Sequence, residues 1–269
     1  MPVPMTANTT WRHALSSAER PLVGMWVCSG SPLIAEICAG SGLDWLLIDA
    51  EHSPNGLASI LAQLQAVAAY PVTPLVRPPS DDRVTIKQYL DLGAQNLLIP
   101  MIDTADQARD AVRSTRYPPA GARGVGSALA RASRWNRTPD YLGQAEEHVS
   151  LVVQIESGDA VGNCRAIADV DGVDAVFVGP SDLAASMGLL GRQDHAAVRD
   201  AVLSVIDEVH RVGKPVGVNA FKPETAQLYL DAGADFVLVG ADVALLARGS
   251  EALASTYIRD AGGGPGSSY

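Results

Sequence analysis

The chain has 269 residues, long enough for one α/β domain with a sizeable core, since a domain of this size buries roughly three quarters of its unfolded surface. Thirty acidic residues against twenty lysines and arginines leave a formal charge of −10, which disfavours nucleic-acid and anionic-membrane partners. Cys28, Cys38 and Cys164 are odd in number and lack C-x-x-C spacing, which argues against a disulfide framework and for reduced thiols in a cytoplasmic protein.

In chain order, the opening residues lack a basic start followed by an apolar run, so no secretory signal is expected. No stretch has the length of apolar residues that a membrane span needs. Residues 1–20 read as an N-terminal segment with a first helix, 21–257 as the main domain, and 258–269 as a flexible glycine- and serine-rich tail. Short apolar runs predict strands at 21–27, 44–48, 73–76, 95–99, 150–155, 174–178, 215–218 and 235–239. Helical spacing falls between them at 56–68, 83–92, 105–113, 196–212, 224–232 and 241–257. The strands are continuously apolar rather than alternating, as expected of a parallel sheet buried on both faces. "LGAQNLLIP" and "AGADFVLVG" each end a helix at Gly-Ala and start a strand at once. Eight such units, with no Gly-x-Gly-x-x-Gly after the first strand, favour a single (β/α)8 TIM barrel over an open dinucleotide-binding sheet. The one long interruption, 117–148, reads as an inserted loop with some helix near 138–144, beside the active site or at a subunit contact.

In such barrels catalytic groups gather where the strands end. Asp49, Glu51 and His52 follow the second run, Arg77 the third, Glu156 the fifth, and Gly179-Pro180-Ser181-Asp182 the sixth. Glu156 and Asp182 end neighbouring strands and are either two hard oxygen ligands for Mg2+ or Mn2+ or a pair of solvated loop acids. His52 is a general base, a zinc ligand or a structural histidine; zinc is the weaker reading because no second histidine or cysteine is expected at a strand end. Arg77, before Pro78 and Pro79, can hold a carboxylate or an enolate oxygen, or serve a structural salt bridge. The Gly179–Asp182 turn is an anion site, a helix cap, or both. A Schiff-base mechanism needs a lysine in the pocket. Of Lys87, Lys214 and Lys222, only Lys222 lies beyond a strand end, where it is expected to face solvent, so a metal route is favoured.

These residues lie in segments that resemble the HpcH/HpaI aldolase family: "DWLLIDAEHSPN", "VRPP", "IKQYLDLGAQNLLIPMI", "RYPPAGARGVGSALARASRWNRTPDYL", "VVQIES" and "VDAVFVGPSDLAASMG". The likeness runs from about residue 21 to 257. It implies a (β/α)8 barrel that reversibly cleaves 4-hydroxy-2-oxo acids to pyruvate and an aldehyde with a divalent metal (Mg2+, Mn2+ or Co2+). By motif it implies Glu156 and Asp182 as metal ligands and His52 as proton acceptor. Asp91 of "YLDLG" would raise the basicity of that histidine, and Arg77 would stabilise the transition state. Gln154 and the Gly179-Pro180-Ser181 backbone would hold the pyruvate part, with Asp49 close to a water on the metal. Asn219 stands where the family often has an apolar residue, which implies a differently lined aldehyde pocket. The resemblance also implies a homo-oligomer, a hexamer built as a trimer of dimers, with small-molecule substrates as the only other partners. Within the same superfamily the rivals are a CoA-thioester lyase, a hydroxypyruvate aldolase and a sugar-acid aldolase. Outside it, the rival is a non-catalytic barrel that binds 2-oxo acids.

Overall fold

The computed structural model describes residues 9–258. The first eight residues and nearly all of the glycine-rich tail lie outside them. Eight parallel strands close in sequence order: β1 (Leu22–Val27), β2 (Trp45–Asp49), β3 (Thr73–Arg77), β4 (Asn96–Ile99), β5 (Ser150–Ile155), β6 (Ala175–Val178), β7 (Val216–Asn219) and β8 (Phe236–Ala241). Each differs from its sequence expectation by at most two residues at an end. The helices are α1 (Trp11–Ser16), α2 (Pro32–Ala39), α3 (Leu57–Ala66), α4 (Arg83–Asp91), α5 (Ala105–Thr115), α6 (Gly158–Ala168), α7 (Pro180–Ser186), α8 (Ala196–Arg211), α9 (Pro223–Asp231) and α10 (Asp242–Tyr257).

Side-chain alternation along the strands splits the interior in two. Outward residues such as Met25, Ile48, Val76, Leu97, Val153, Val176 and Val218 meet the helices in one large cluster. Inward residues, including Trp26, Trp45, Leu47, Leu75, Leu98, Val152, Phe177, Phe236 and Leu238, fill the barrel in a second. Two glycines make room for the largest rings there. A Cβ on Gly24 would lie 2.4 Å from the Trp45 indole, and one on Gly217 would lie 2.2 Å from the Phe236 ring. Trp11, the first residue of α1, closes the N-terminal end of the barrel; its ring centroid lies 5.2 Å from that of Trp45 and 5.1 Å from that of Phe236. Its backbone N–H donates to Asn96 Oδ1 at 2.7 Å, which ties α1 to the N-terminal end of the barrel.

Two helices, α2 and α6, lie where the sequence pattern predicts none, announced mainly by the capping serines Ser31 and Ser157, while α7 begins at Pro180, within the Gly179–Asp182 stretch read as a turn or helix start. The insertion differs from expectation in two ways. Residues 138–144 form turns, not helix, because Arg134, Trp135, Asn136 and Asp140 all take left-handed backbone angles (φ 47° to 62°). Its two 3-10 turns lie earlier, at Ser127–Leu129 and Arg131–Ser133. The insertion also leaves α5 and enters β5 at the N-terminal rim, so it does not border its own chain's strand C-termini. Arg123, fully buried, pins it there through Asp91 Oδ1 (3.0 Å), the Tyr141 hydroxyl (3.3 Å) and the face of Tyr117 (4.7 Å).

Candidate active site

The alternation that fills the barrel also builds the site, because the last inward position of several strands is polar. Asp49 ends β2 and Arg77 ends β3, paired in register. Gln154 is the penultimate residue of β5, Asn219 ends β7, and Trp26 is the penultimate residue of β1. Glu156 follows β5 by one residue and points the same way as Gln154.

Arg77 is the hub. Its guanidinium is almost fully buried; Nε donates to Asp49 Oδ1 at 2.8 Å, and Nη1 lies 2.8 Å from Glu51 Oε2. The same Nη1 donates to Gln154 Oε1 at 3.4 Å, and the Gln154 amide N–H then donates to Glu156 Oε2. The Trp26 ring covers the guanidinium face at 4.3 Å from its centroid. Two carboxylates around one buried guanidinium satisfy a charge that would otherwise cost several kcal/mol to desolvate. Asp49 also accepts the backbone N–H groups of Glu51 (3.1 Å) and His52 (3.2 Å), which turns the chain after β2 and sets His52 on the rim. The His52 side chain is two-thirds exposed, with Nε2 3.9 Å from Glu51 Oε2.

Glu156 is the least settled charge of the group. Burial pushes its carboxyl up to about 7, and the negative charges of Glu51 and Asp182 add to the shift. The N–H of Met101 opposes it by donating to Oε1 at 2.6 Å. Met101 reaches that position in a left-handed conformation, φ 58°, uncommon for a residue other than glycine. Asp182 lies in the first turn of α7 and is exposed with Ser181, whereas Gly179 and Pro180 are buried. A Cβ on Gly179 would come within 2.9 Å of Gln154 Nε2, so the backbone there runs directly against the site.

A carboxyl that keeps its proton mainly through burial, with Glu51 and Asp182 adding repulsion, fits a divalent cation, which would compensate the buried charge and offset that repulsion. The donors are all oxygens, which suits Mg2+, Mn2+ or Co2+ better than a thiolate-bound metal. Among the described residues no group of three or more histidine, cysteine, aspartate and glutamate side chains gathers into a cage. A cysteine does follow a strand, contrary to the sequence expectation: Cys28 comes directly after β1. Burial, with Asp49 and Asp242 nearby, pushes its thiol up to about 12, so in the metal-free chain it stays protonated near neutral pH.

Asp91 is not with the others. Helix α4 starts beyond β3 at the C-terminal rim and runs back along the barrel, so its last residue, Asp91, lies near the opposite end from His52. There it pairs with Arg123. Within one chain it cannot fix the His52 imidazole. Lys222 caps the start of α9, more than half exposed and paired with Asp194 at 2.5 Å. Position alone does not single out Glu51 as a partner of Arg77, nor Trp26 or Met101. An inward tryptophan reads as core, and a backbone donor leaves no residue-type signal.

A closed parallel barrel whose C-terminal rim gathers a buried arginine, an imidazole and two metal-competent carboxylates is the frame of an enzyme for small anionic substrates. The model of the HpcH/HpaI aldolase/citrate lyase family matches residues 22–249, and the chain belongs to that family. It is 54% identical over 240 residues, 89% of the chain, to the 4-hydroxy-2-oxo-heptane-1,7-dioate aldolase of Salmonella arizonae, of which it covers 91%. It is 52% identical over 254 residues to the Klebsiella pneumoniae enzyme of the same name, covering 94% of this chain and 96% of that one. Among solved structures, an HpcH/HpaI aldolase/citrate lyase family protein from Burkholderia cenocepacia superposes with a TM-score of 0.88 at 39% identity, covering 92% of this chain and 98% of the other.

Proposed function

We propose that this chain is an aldehyde-lyase that reversibly cleaves 4-hydroxy-2-oxo acids, of the 4-hydroxy-2-oxoheptanedioate type, to pyruvate and an aldehyde such as succinic semialdehyde. The observation that carries this reading is the match, over about nine tenths of the chain, to relatives named for that reaction. The buried Arg77–Gln154–Glu156 network supports it.

Glu156 and Asp182 would hold a divalent metal (Mg2+, Mn2+ or Co2+), which supplies Lewis-acid polarisation of the 2-oxo acid. Gln154 and the Gly179-Pro180-Ser181 backbone hold the pyruvate carboxylate end. Arg77, held at Nε by Asp49 and at Nη1 by Glu51, offers its remaining N–H groups to the oxygen that becomes negative. His52 takes the proton of the C4 hydroxyl. The C3–C4 bond breaks, its electron pair stays on C3 as the pyruvate enolate, and C4 leaves as the aldehyde carbon. Protonation at C3 then completes pyruvate. In this scheme Asp91 acts on His52 only from a neighbouring copy of the chain. A homo-oligomer, built as a hexamer of three dimers, is supported by apolar side chains left exposed on α10 (Leu245, Leu246, Leu253) and on the insertion (Leu129, Trp135). No helix among the described residues is long and apolar enough to cross a membrane, and a cytoplasmic location agrees with three free cysteines.

A second reading, cleavage of a hydroxylated sugar-acid or hydroxypyruvate-derived substrate, is favoured by one observation: the polar Asn219 at the end of β7. The deciding assay is pyruvate release from 4-hydroxy-2-oxoheptanedioate, after chelation and again with Mg2+ or Mn2+ restored. Metal-dependent release is expected. Release only from polyhydroxylated 2-oxo acids would move the chain to the second reading. No release, with pyruvate and metal still bound, would identify a binding barrel instead.

A further inference from the structure

The polar clamp on Arg77 acts within one plane. Asp49, Glu51 and Gln154 hold the guanidinium through Nε and Nη1, whose N–H bonds lie in its plane and leave its faces unsupported. What supports one face is the Trp26 ring, packed over the guanidinium at 4.3 Å. The ring is itself located on two sides. Phe177 meets it edge-on at 6.4 Å, and its indole N–H donates to Asn219 Oδ1 at 3.1 Å. Trp26 is 8% exposed, and unlike the buried indoles of Trp11 and Trp45 its N–H has a protein acceptor among the described residues, Asn219. An apolar residue at 219 has no acceptor to offer.

We propose that Trp26 is a positioning residue for Arg77, and that Asn219 acts through Trp26. The relay crosses the barrel mouth from β7 to β1 to β3, and it makes Asn219 a determinant of pyruvate enolisation as well as of the aldehyde pocket. The inference rests on the reading of Arg77 as the group that carries enolate charge. It separates two roles for Asn219. A residue that only lines the aldehyde pocket changes which acceptor is used and leaves the half-reaction on pyruvate alone untouched. A residue that holds the ring over Arg77 changes that half-reaction with no aldehyde present.

The experiment is deuterium exchange into the pyruvate methyl group in D2O, by NMR, on the metal-restored enzyme without aldehyde. The variants are Trp26→Leu, Trp26→Phe, Asn219→Leu and the double variant Trp26→Phe/Asn219→Leu. Trp26→Leu removes the aromatic face and should lower the exchange kcat about tenfold, the size of a desolvated cation–π contact. Asn219→Leu strands a buried N–H and should lower it about fivefold, with KM for pyruvate nearly unchanged. The double-mutant cycle decides. In the Trp26→Phe background the indole N–H is already gone, so Asn219→Leu should have no further effect on exchange.

Equal losses from Asn219→Leu in both backgrounds, or no loss in the wild-type background, overturn the relay while leaving the aldolase reading intact. Absence of exchange in the wild-type enzyme overturns that reading, and the relay with it. If Trp26→Leu does not fold, the Phe and Asn219 arms still decide the question, because both keep the site close-packed.

Discussion

The two ends of the barrel are made by the same alternation and solve opposite problems. At the N-terminal end the inward positions are rings. Trp11, Trp45 and Phe236 pack with tilted or edge-to-face geometry; Asn96 is bonded to the Trp11 backbone and to Pro74, while the buried indole N–H groups of Trp11 and Trp45 have no hydrogen-bond partner among the described residues. At the C-terminal end several inward positions are charged or polar, with Asp49, Arg77, Gln154 and Glu156 buried and held a few ångströms apart. Aromatic packing at one end stabilises the fold outright; a buried ion cluster adds little net stability and acts through its geometry. The barrel therefore divides its labour along its axis, with stability weighted towards one end and chemistry towards the other.

Substitutions at the two ends should break in different measurements. The largest expected effect is on turnover. His52→Ala should lower kcat by about three orders of magnitude, the upper part of the usual range for a general base. Because that side chain is two-thirds exposed, the melting temperature should stay within about two degrees of wild type. A variant that melts early, or that keeps wild-type turnover, would remove His52 from the mechanism. The reverse pattern is expected of Trp45→Ala, which empties the space beside Gly24 and should cost about 3–5 kcal/mol in denaturant unfolding. Its folded fraction should keep a KM for the 2-oxo acid close to wild type, and a large KM change would mean that the two ends are coupled.

A smaller effect is expected from pH. The folded-state pKa of Glu156 is raised from the ordinary 4.5 to about 7. Between those values the metal-free folded chain keeps a proton that the unfolded chain has lost. Stability from this group is therefore full below pH 4.5 and falls as pH rises towards 7. As a ligand of the proposed metal, Glu156 would have to lose the same proton, so affinity for Mn2+ should weaken about tenfold for each pH unit below 7. Calorimetric titration at about pH 5.5, 6.5 and 7.5 checks this, and a flat profile would exclude Glu156 as a ligand. The smallest effect belongs to Lys222→Ala. An exposed ion pair contributes at most about 1 kcal/mol. Turnover should be unchanged, and borohydride with pyruvate should label neither wild type nor variant; labelling at Lys222 would revive a Schiff-base route.

The contrast also explains what can be read from the sequence. The strands are legible because each is an unbroken apolar run, and strand ends alone place Asp49, His52, Arg77, Glu156 and Asp182 on one rim. The insertion defies its sequence pattern because its helical composition is overridden by four left-handed residues, which side-chain periodicity does not encode. Trp26 is hidden by its own hydrophobicity. In a one-dimensional pattern it is another core residue, and only closure of the barrel brings β1 against the charge on β3. Met101 contributes a backbone group, which residue type cannot reveal. Asp91 is implied by family likeness alone, and one chain places it at the far end of the barrel, committed to Arg123.

The holes left by Gly24 and Gly217 carry a consequence for the history of the sequence. Each is matched to one ring, Trp45 on the next strand and Phe236 on the strand beside β7. Neither member of a pair can drift alone, since an alanine at 24 collides with the indole and a small residue at 45 opens a void. Across divergent descendants these positions should change two at a time or not at all, so that paired exchange at 24 with 45, and at 217 with 236, would be an inherited signature of how this barrel is filled.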